Sequence, residues 1–408
     1  MKYECFKLSD VCEIIAGQSP ESKYYNTEGI GLPFFQGKAD FGELYPNIRM
    51  YCSNPLKVAE KDDVLISVRA PVGTTNLSPC KVCIGRGLTA IRPLKQVKTK
   101  FLFYFLRYYE KLLEKQGTGT TFKAITQSVV KNIELPVPSI YEQERIVSKI
   151  EELFSELDKG VETLQTTKKQ LAVYRQAVLK EAFEGKFTLH YPINIDLKWA
   201  SHEETTSLPD IPLEWQYIAL SELGELGRGK SKHRPRNDSK LFENGKYPFV
   251  QTGDVKAAKK YITEYLKTYG EFGLQQSKLW SKGTLCITIA ANIAETAFLG
   301  IDACFPDSIV GFTSYKNIIP EFIKYFIESQ KLRLWAFAPA TAQKNINLDI
   351  LENLIVPYCS LKEQKEVISE IEARMTICDN IEQTVDTTLQ QAKAMRQSIL
   401  KKAFEGEL

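Results

Sequence analysis

Two long stretches of the chain repeat their apolar residues every seven positions. In the first, Ile150, Leu157, Leu164, Leu171 and Val178 form one line, and Ile146, Leu153, Gly160, Thr167 and Tyr174 form a second. In the other stretch the lines are Ile371, Cys378, Val385, Ala392 and Ile399, and Val367, Arg374, Ile381, Thr388 and Met395. Four to five such heptads without a proline predict two long helices with a coiled-coil seam. The first should begin after Pro138-Ser139, with Glu142 and Glu144 at its positive end, and stop at Gly185; the second should stop at Gly406. From Tyr141 to Glu184 such a helix spans about 66 Å. That outreaches a domain of about 140 residues, so the two helices are expected to pair, antiparallel, and to act as a spacer. The linker, Lys186 to Pro212, would return the chain: its about 27 flexible residues average near 30 Å. Gly160, Thr167, Arg374 and Ala392 interrupt the seam and leave room there for another partner.

The rest of the chain alternates short apolar runs with Gly, Pro and Asp, which reads as strands and turns. Val64–Val68, Gly87–Ile91, Thr284–Ile289 and Ser308–Phe312 are the clearest strands, and Phe101–Leu106 and Glu321–Ile327 read as short buried helices. The chain is also a duplication. Asn132-Ile-Glu-Leu-Pro-Val-Pro-Ser-Ile-Tyr-Glu-Gln143 is echoed by Asn353-Leu-Ile-Val-Pro-Tyr-Cys-Ser-Leu-Lys-Glu-Gln364, a shift of 221 residues. The shift holds without a gap to Arg175-Gln-Ala-Val-Leu-Lys-Glu-Ala-Phe-Glu-Gly185 against Arg396-Gln-Ser-Ile-Leu-Lys-Lys-Ala-Phe-Glu-Gly406. Upstream it drifts, with Pro33-Phe-Phe-Gln against Pro248-Phe-Val-Gln. The predicted class is α+β: two globular β-rich domains alternate with two long antiparallel helices in a pseudo-two-fold repeat. The expected divisions are 1–138, a first helix at 139–187, a linker at 188–212, a second globular domain at 213–358 and a second helix at 359–408.

Composition narrows the function. Nine cysteines, an odd number mostly isolated in apolar surroundings, read as reduced thiols of a cytoplasmic protein. No apolar run approaches the roughly 18 residues of a membrane span. Residues 1–135 carry a net charge of +6, while residues 200–355 are neutral. Five of the basic residues of the second part nevertheless fall between positions 228 and 236, and the two helical segments are slightly acidic. This partition fits polyanion contact by the globular parts and protein contact by the helices.

Motifs for chemistry are weak. Gly224-Glu-Leu-Gly-Arg-Gly-Lys-Ser231 satisfies the phosphate-loop pattern, but Pro235 follows and no helix begins, as that motif requires. The stretch reads instead as a basic loop. Cys80-Lys-Val-Cys83 lacks the second ligand pair of a zinc site. No methyltransferase or nuclease constellation is present, so no catalytic residue, cofactor or metal is expected and the chain is read as non-enzymatic.

The duplicated unit of Leu-Pro-Val-Pro, Glu-Gln, long helix and Ala-Phe-Glu-Gly resembles the specificity subunit of a type I restriction–modification enzyme. Gly17-Gln-Ser-Pro20, Pro33-Phe-Phe-Gln-Gly37, Arg69-Ala-Pro-Val-Gly73 and the run 119–125 carry the resemblance in the first half. Pro248-Phe-Val-Gln-Thr-Gly-Asp254 and the run 341–346 carry it in the second. The second half departs where Ile289-Ala-Ala-Asn-Ile-Ala294 replaces the Arg-Ala-Pro-Val-Gly segment. The resemblance implies two target-recognition domains, each reading one half of a bipartite double-stranded DNA sequence, with the helices fixing the gap between halves. It implies as partners two copies of a methyltransferase subunit and an endonuclease–translocase subunit, which would hold the S-adenosylmethionine and ATP chemistry. The alternative is a scaffold or orphan subunit binding another polyanion or a protein. The residues expected to face DNA are Gln18, Ser19, Lys38, Arg69, Arg86, Thr120 and Lys123 in the first half. In the second they are Arg228, Lys230, Lys232, Gln251, Thr341, Gln343, Lys344 and Asn345. Lys123 and Lys344 stand at the same place in the 221-residue register and are the foremost phosphate candidates.

Overall fold

A computed structural model describes residues 3–117, 124–191, 200, 208–337 and 345–408. It divides into two compact units. One comprises Met1–Thr166 with Val385–Leu408, the other Thr167–Thr384. The four described helices of ten or more residues are α1 (Thr99–Gln116), α2 (Ile140–Phe183), α3 (Pro320–Ser329) and α4 (Leu361–Glu405). Each of the two long helices, α2 and α4, therefore contributes one part to each unit.

The first unit is built on a four-stranded antiparallel sheet in the order Cys12–Ala16, Leu88–Pro93, Val64–Ser67, Thr75–Leu77. A five-stranded sheet of very short strands adjoins it, with Leu32–Phe35 parallel to Val82–Ile84. A strand at each end of the globular part, Cys5–Lys7 and Glu134–Pro136, pairs its beginning with the entry to α2. The second unit repeats the plan with Gly224–Arg228, Ile309–Ser314, Leu285–Thr288, Thr296–Leu299 and Tyr261–Ile262 in one sheet. Strands Val64–Ser67 and Leu285–Thr288 occupy the same 221-residue register, which the fold thus carries upstream of the recognisable sequence match. Both are wholly buried, as near-continuous apolar runs should be. The helix expected at Phe101–Leu106 is longer than its apolar run. It extends through the charged residues to Gln116, because Phe101–Leu106 and Leu113 all reach the core and the polar remainder faces solvent.

The duplicated tails close the cores. In the first unit the ring of Phe404, from the end of α4, lies 5.3 Å from Phe101 and 5.4 Å from Phe105, and stacks on Tyr108 at 5.8 Å. In the second, Phe183 from the end of α2 lies 5.0 Å from Phe322 and 5.3 Å from Phe326. The neighbouring Ala182 and Ala403 are buried. Gly185 and Gly406 take φ of +75° and +81°, and Lys186 and Glu407 donate their N–H groups back into the last turns. The Ala-Phe-Glu-Gly run is thus an anchor followed by a cap.

The helices run antiparallel within each unit. In the second, Arg175 reaches Asp379 at 2.6 Å and Glu382 at 3.2 Å. In the first, the register-equivalent pair Arg396 and Asp158 forms the same bridge, and Arg145 donates to the carbonyl of Leu408 at 3.0 Å. The seam differs from the expected one. The first line is buried at Ile150, Leu171 and Val178, and at Ile371, Cys378, Val385 and Ala392, but only half-buried at Leu157, Leu164 and Ile399. The second line is open at Tyr174, Ile381 and Met395, which are 46%, 39% and 53% exposed. A pair of helices covers one stripe each, and the adjoining stripe stays bare without a third element. The linker also departs from a free tether. Phe187 packs on the second core and receives the guanidinium of Arg374, and Ala200 donates to the carbonyl of Tyr217 at 2.8 Å.

The repeated Glu-Gln pair at the start of each long helix has a local explanation. Gln143 is buried; its amide donates to the carbonyls of Gln96 and Pro138 and accepts from the Lys98 N–H at 2.8 Å. Gln364 makes the equivalent bonds to Asn317, Cys359 and Ile319. Ser139 caps the first helix by accepting the Glu142 N–H, and the Glu142 carboxylate accepts from the Tyr3 hydroxyl, while Glu363 accepts from Trp215 Nε1 and Ser360. These side chains tie the helix start to the globular part.

Candidate nucleic-acid interface

In the first unit four separate loops converge. The Gly17 N–H donates to the Leu88 carbonyl at 2.9 Å and the Gln18 N–H to the Ile84 carbonyl at 3.0 Å, which fixes the loop after strand Cys12–Ala16 against the turn at residues 85–87. Within that turn the Arg86 N–H donates to Ser19 Oγ at 3.2 Å. The turn is joined in turn to the next loop, where Val68 N–H reaches the Gly87 carbonyl at 2.9 Å. Arg69 follows directly, bridged to Ala124 in an antiparallel pair. The fourth loop carries Lys38 in a 3-10 turn, closed by Asp40, whose carboxylate accepts from the Gln36 N–H at 2.8 Å. Gln18, Lys38, Arg69 and Arg86 are exposed and Ser19 is half-buried. The structure thus brings together these five of the seven first-half candidates; Thr120 and Lys123 lie outside the described residues.

Glycine permits the convergence. A methyl group on Gly17 would lie 2.2 Å from the Gly85 carbonyl oxygen and 2.7 Å from that of Leu88, both backbone atoms that cannot swing away. Gly17→Ala should therefore cost about 1–3 kcal/mol, measured by urea unfolding. Gly37→Ala should be nearly neutral, because Gly37 is extended and an added methyl group would meet no atom within 4 Å.

The second unit repeats the scaffold with other side chains. Gly229 N–H donates to the Ile309 carbonyl and Lys230 N–H to that of Phe305. Ile289 N–H donates to the Ser308 carbonyl, and Ala290 bridges Asn345 as Arg69 bridges Ala124. Gln251, half-buried, begins a short helix whose Asp254 accepts its N–H at 2.8 Å, as Asp40 does for Gln36. Lys230 and Lys232 are exposed and project from a loop held by Gln276 and Ser277. Arg228 is also exposed, but its Nε donates to the carbonyl of Asp307 at 2.5 Å. Arg234 turns back on the carbonyls of Ser231 and His233. The hydrogen bond from His233 holds the Asp238 carboxyl below its usual range. Thr341, Gln343 and Lys344 lie outside the described residues.

Two residues of this face are absent from the sequence-derived candidates: Gln36, the counterpart of Gln251, and Asp307, which stands in the Arg86 position. The shared Pro-Phe-x-Gln run and the 221-residue register are the signals that point to them. The phosphate-loop pattern at 224–231 ends in strand Gly224–Arg228 and a coil, with no helix to cradle phosphate. Cys83 is buried in a short strand beside Cys52 and Phe34, and burial pushes its thiol up to about 12. Cys80 instead lies at the edge of a neighbouring cluster.

The match to known proteins covers most of the chain. The family model described as the type I restriction modification DNA specificity domain matches residues 1–169 and 212–391. A relative from Methanocaldococcus jannaschii, named for the specificity subunit of the type I restriction enzyme MjaX, is 43% identical over 175 residues, 43% of this chain and 40% of that protein. The specificity subunit of the type I restriction enzyme EcoBI of Escherichia coli is 26% identical over 318 residues, 76% of this chain and 65% of that one. Each match thus spans less than two thirds of the relative's own length. A solved chain from work on complex assembly and conformational transition of the type I R-M system aligns over 100% of this chain and 98% of its own, with a TM-score of 0.74 at 20% identity, a likeness of fold. With both halves matched, the chain belongs to the type I restriction modification DNA specificity domain family.

Proposed function

We propose that the chain is the sequence-reading subunit of a type I restriction–modification complex, that its two globular parts each read one half of a bipartite duplex, and that it performs no catalysis itself. One observation carries this reading: the same hydrogen-bonded loops converge in both repeats, with different polar side chains at their tips. A common scaffold with varied tips is what two readers of different half-sites require, since base edges are told apart by the donors and acceptors presented to them. The open positions at Tyr174, Ile381 and Met395 support a role for the helices in docking other subunits, namely two methyltransferase copies and, through them, an endonuclease–translocase.

Within this reading Gln18, Ser19, Lys38, Arg69, Arg86, Thr120 and Lys123 face one half-site. Arg228, Lys230, Lys232, Gln251, Thr341, Gln343, Lys344 and Asn345 face the other. Lys123 and Lys344 share a register position in two domains of different specificity, so they serve the element common to all DNA, the phosphate backbone. The test is equilibrium binding of duplexes by the chain together with its methyltransferase partner. Lys123→Ala should weaken cognate and unrelated DNA alike and flatten the salt dependence by about one ion. A loss confined to cognate DNA, with the slope unchanged, would make Lys123 a base reader.

A further inference from the structure

We infer that Asp307 is a specificity-determining residue of the second half, a carboxylate that accepts a hydrogen bond from the exocyclic amino group of a base, cytosine in the first instance. The inference rests on the DNA-recognition reading and adds to it a residue that no motif marks.

Asp307 is the register partner of Arg86, and the backbone around the two is the same. Leu88 N–H donates to the Gly85 carbonyl at 3.0 Å, and Ile309 N–H to that of Pro306 at 3.0 Å. Gly87 and Ser308 accept from Val68 and Ile289 at 2.9 and 3.0 Å. Where the first half presents a cation to the converged loops, the second presents an anion at the same point. A carboxylate facing a phosphate backbone is repelled, so this position is not a general DNA contact. It suits a base edge that donates, and the amino group of cytosine is the donor that acidic side chains accept from in the major groove.

The carboxylate is also held. One terminal nitrogen of Arg236 donates to Oδ1 at 2.8 Å and to Oδ2 at 2.9 Å, and Arg228 Nε fixes the Asp307 backbone carbonyl. Each carboxylate oxygen keeps a further lone pair for another donor. Arg236 acts as a positioning residue. The pair is half-exposed, with side chains 52% and 35% accessible, so it contributes little to stability and its removal leaves the fold intact. Asp307 further lowers the pull of this loop on phosphates by engaging Arg236. The device combines attraction to the right base with repulsion of the rest of DNA.

The experiment is a selection from randomised duplexes by the complex of this chain with its methyltransferase partner, followed by binding titrations over a range of salt. In Asp307→Asn the preference at one position of the second half-site should fall roughly tenfold, with the other positions unchanged. Binding to unrelated DNA should tighten, and its salt dependence should steepen by about one ion as Arg236 is released. Arg236→Gln, which keeps the carboxylate, should retain the preferred base and weaken the preference. An unchanged preference in Asp307→Asn, beside a clear preference in the unsubstituted chain, would reduce Asp307 to a loop brace and overturn the inference alone. No preference at any position in the unsubstituted complex would overturn the DNA-recognition reading and the inference with it.

Discussion

Replacing Phe404 by alanine is expected to destabilise the first unit by about 3–5 kcal/mol. The ring is in contact with Phe101, Phe105 and Tyr108 together. Nothing nearby can fill its place, because Phe101 and Phe105 are themselves buried in the core and fixed by α1. Phe183→Ala should do the same to the second unit by removing the contacts with Phe322 and Phe326. The two effects separate by probe. The described tryptophans, Trp215, Trp280 and Trp335, all lie in the second unit, and the fourth falls at position 199 of the sequence. Urea unfolding followed by tryptophan fluorescence should therefore shift with Phe183→Ala, and a shift visible in circular dichroism but not in fluorescence should mark Phe404→Ala. Equal shifts of both signals for both variants would mean that the units unfold as one.

The second large effect is expected at Gln143. Gln143→Leu keeps the approximate volume but removes one acceptor and two donors from a buried site. It strands the Lys98 N–H and the carbonyls of Gln96 and Pro138. At about 1–3 kcal/mol for each buried group left unpaired, a loss of about 3–5 kcal/mol is expected, part of it relieved by water. Gln364→Leu should match it, since Ile319, Asn317 and Cys359 depend on that amide in the same way. The check is a urea midpoint for each variant. A change under about 1 kcal/mol would show that the amide is replaceable at the root of the helix.

These two sites mark how far the sequence could be read. The helices were legible because their apolar lines repeat over many turns, and the duplication because its register is unbroken over the last 50 residues of each half. The clearest strands were legible as apolar runs between turn residues. What the heptads could not show was which positions of the two lines are covered. Leu171 and Tyr174 look equally apolar in a pattern, but burial depends on the neighbour's position. Nor could the sequence show that Gln143 and Gln364 are structural, since an amide reads as solvent-facing until three backbone groups are seen around it. The candidate interface was the least legible part. Its loops lie far apart in the chain, Ser19 beside Arg86 and Arg69 beside Ala124, and the shift between halves changes from loop to loop upstream. Arg86 stands among the polar loop residues expected to face DNA, and Asp307 does not. A charge of the opposite sign at the same register position becomes informative only when the two backbones are seen to coincide.

The tail contact of Phe404 with Phe101 bears on the order in which the molecule is made. Residues 101 and 404 can meet only after the whole second unit has been synthesised, so the unit that leaves the ribosome first completes its core last. The second unit closes at residue 384 and holds its own anchor, Phe183, from the outset. Until the end of α4 emerges, the nascent first unit must wait with the faces of Phe101 and Phe105 uncovered, an apolar surface open to chaperones or to another chain. In synthesis from first residue to last, the core of the first unit is therefore the last to be completed.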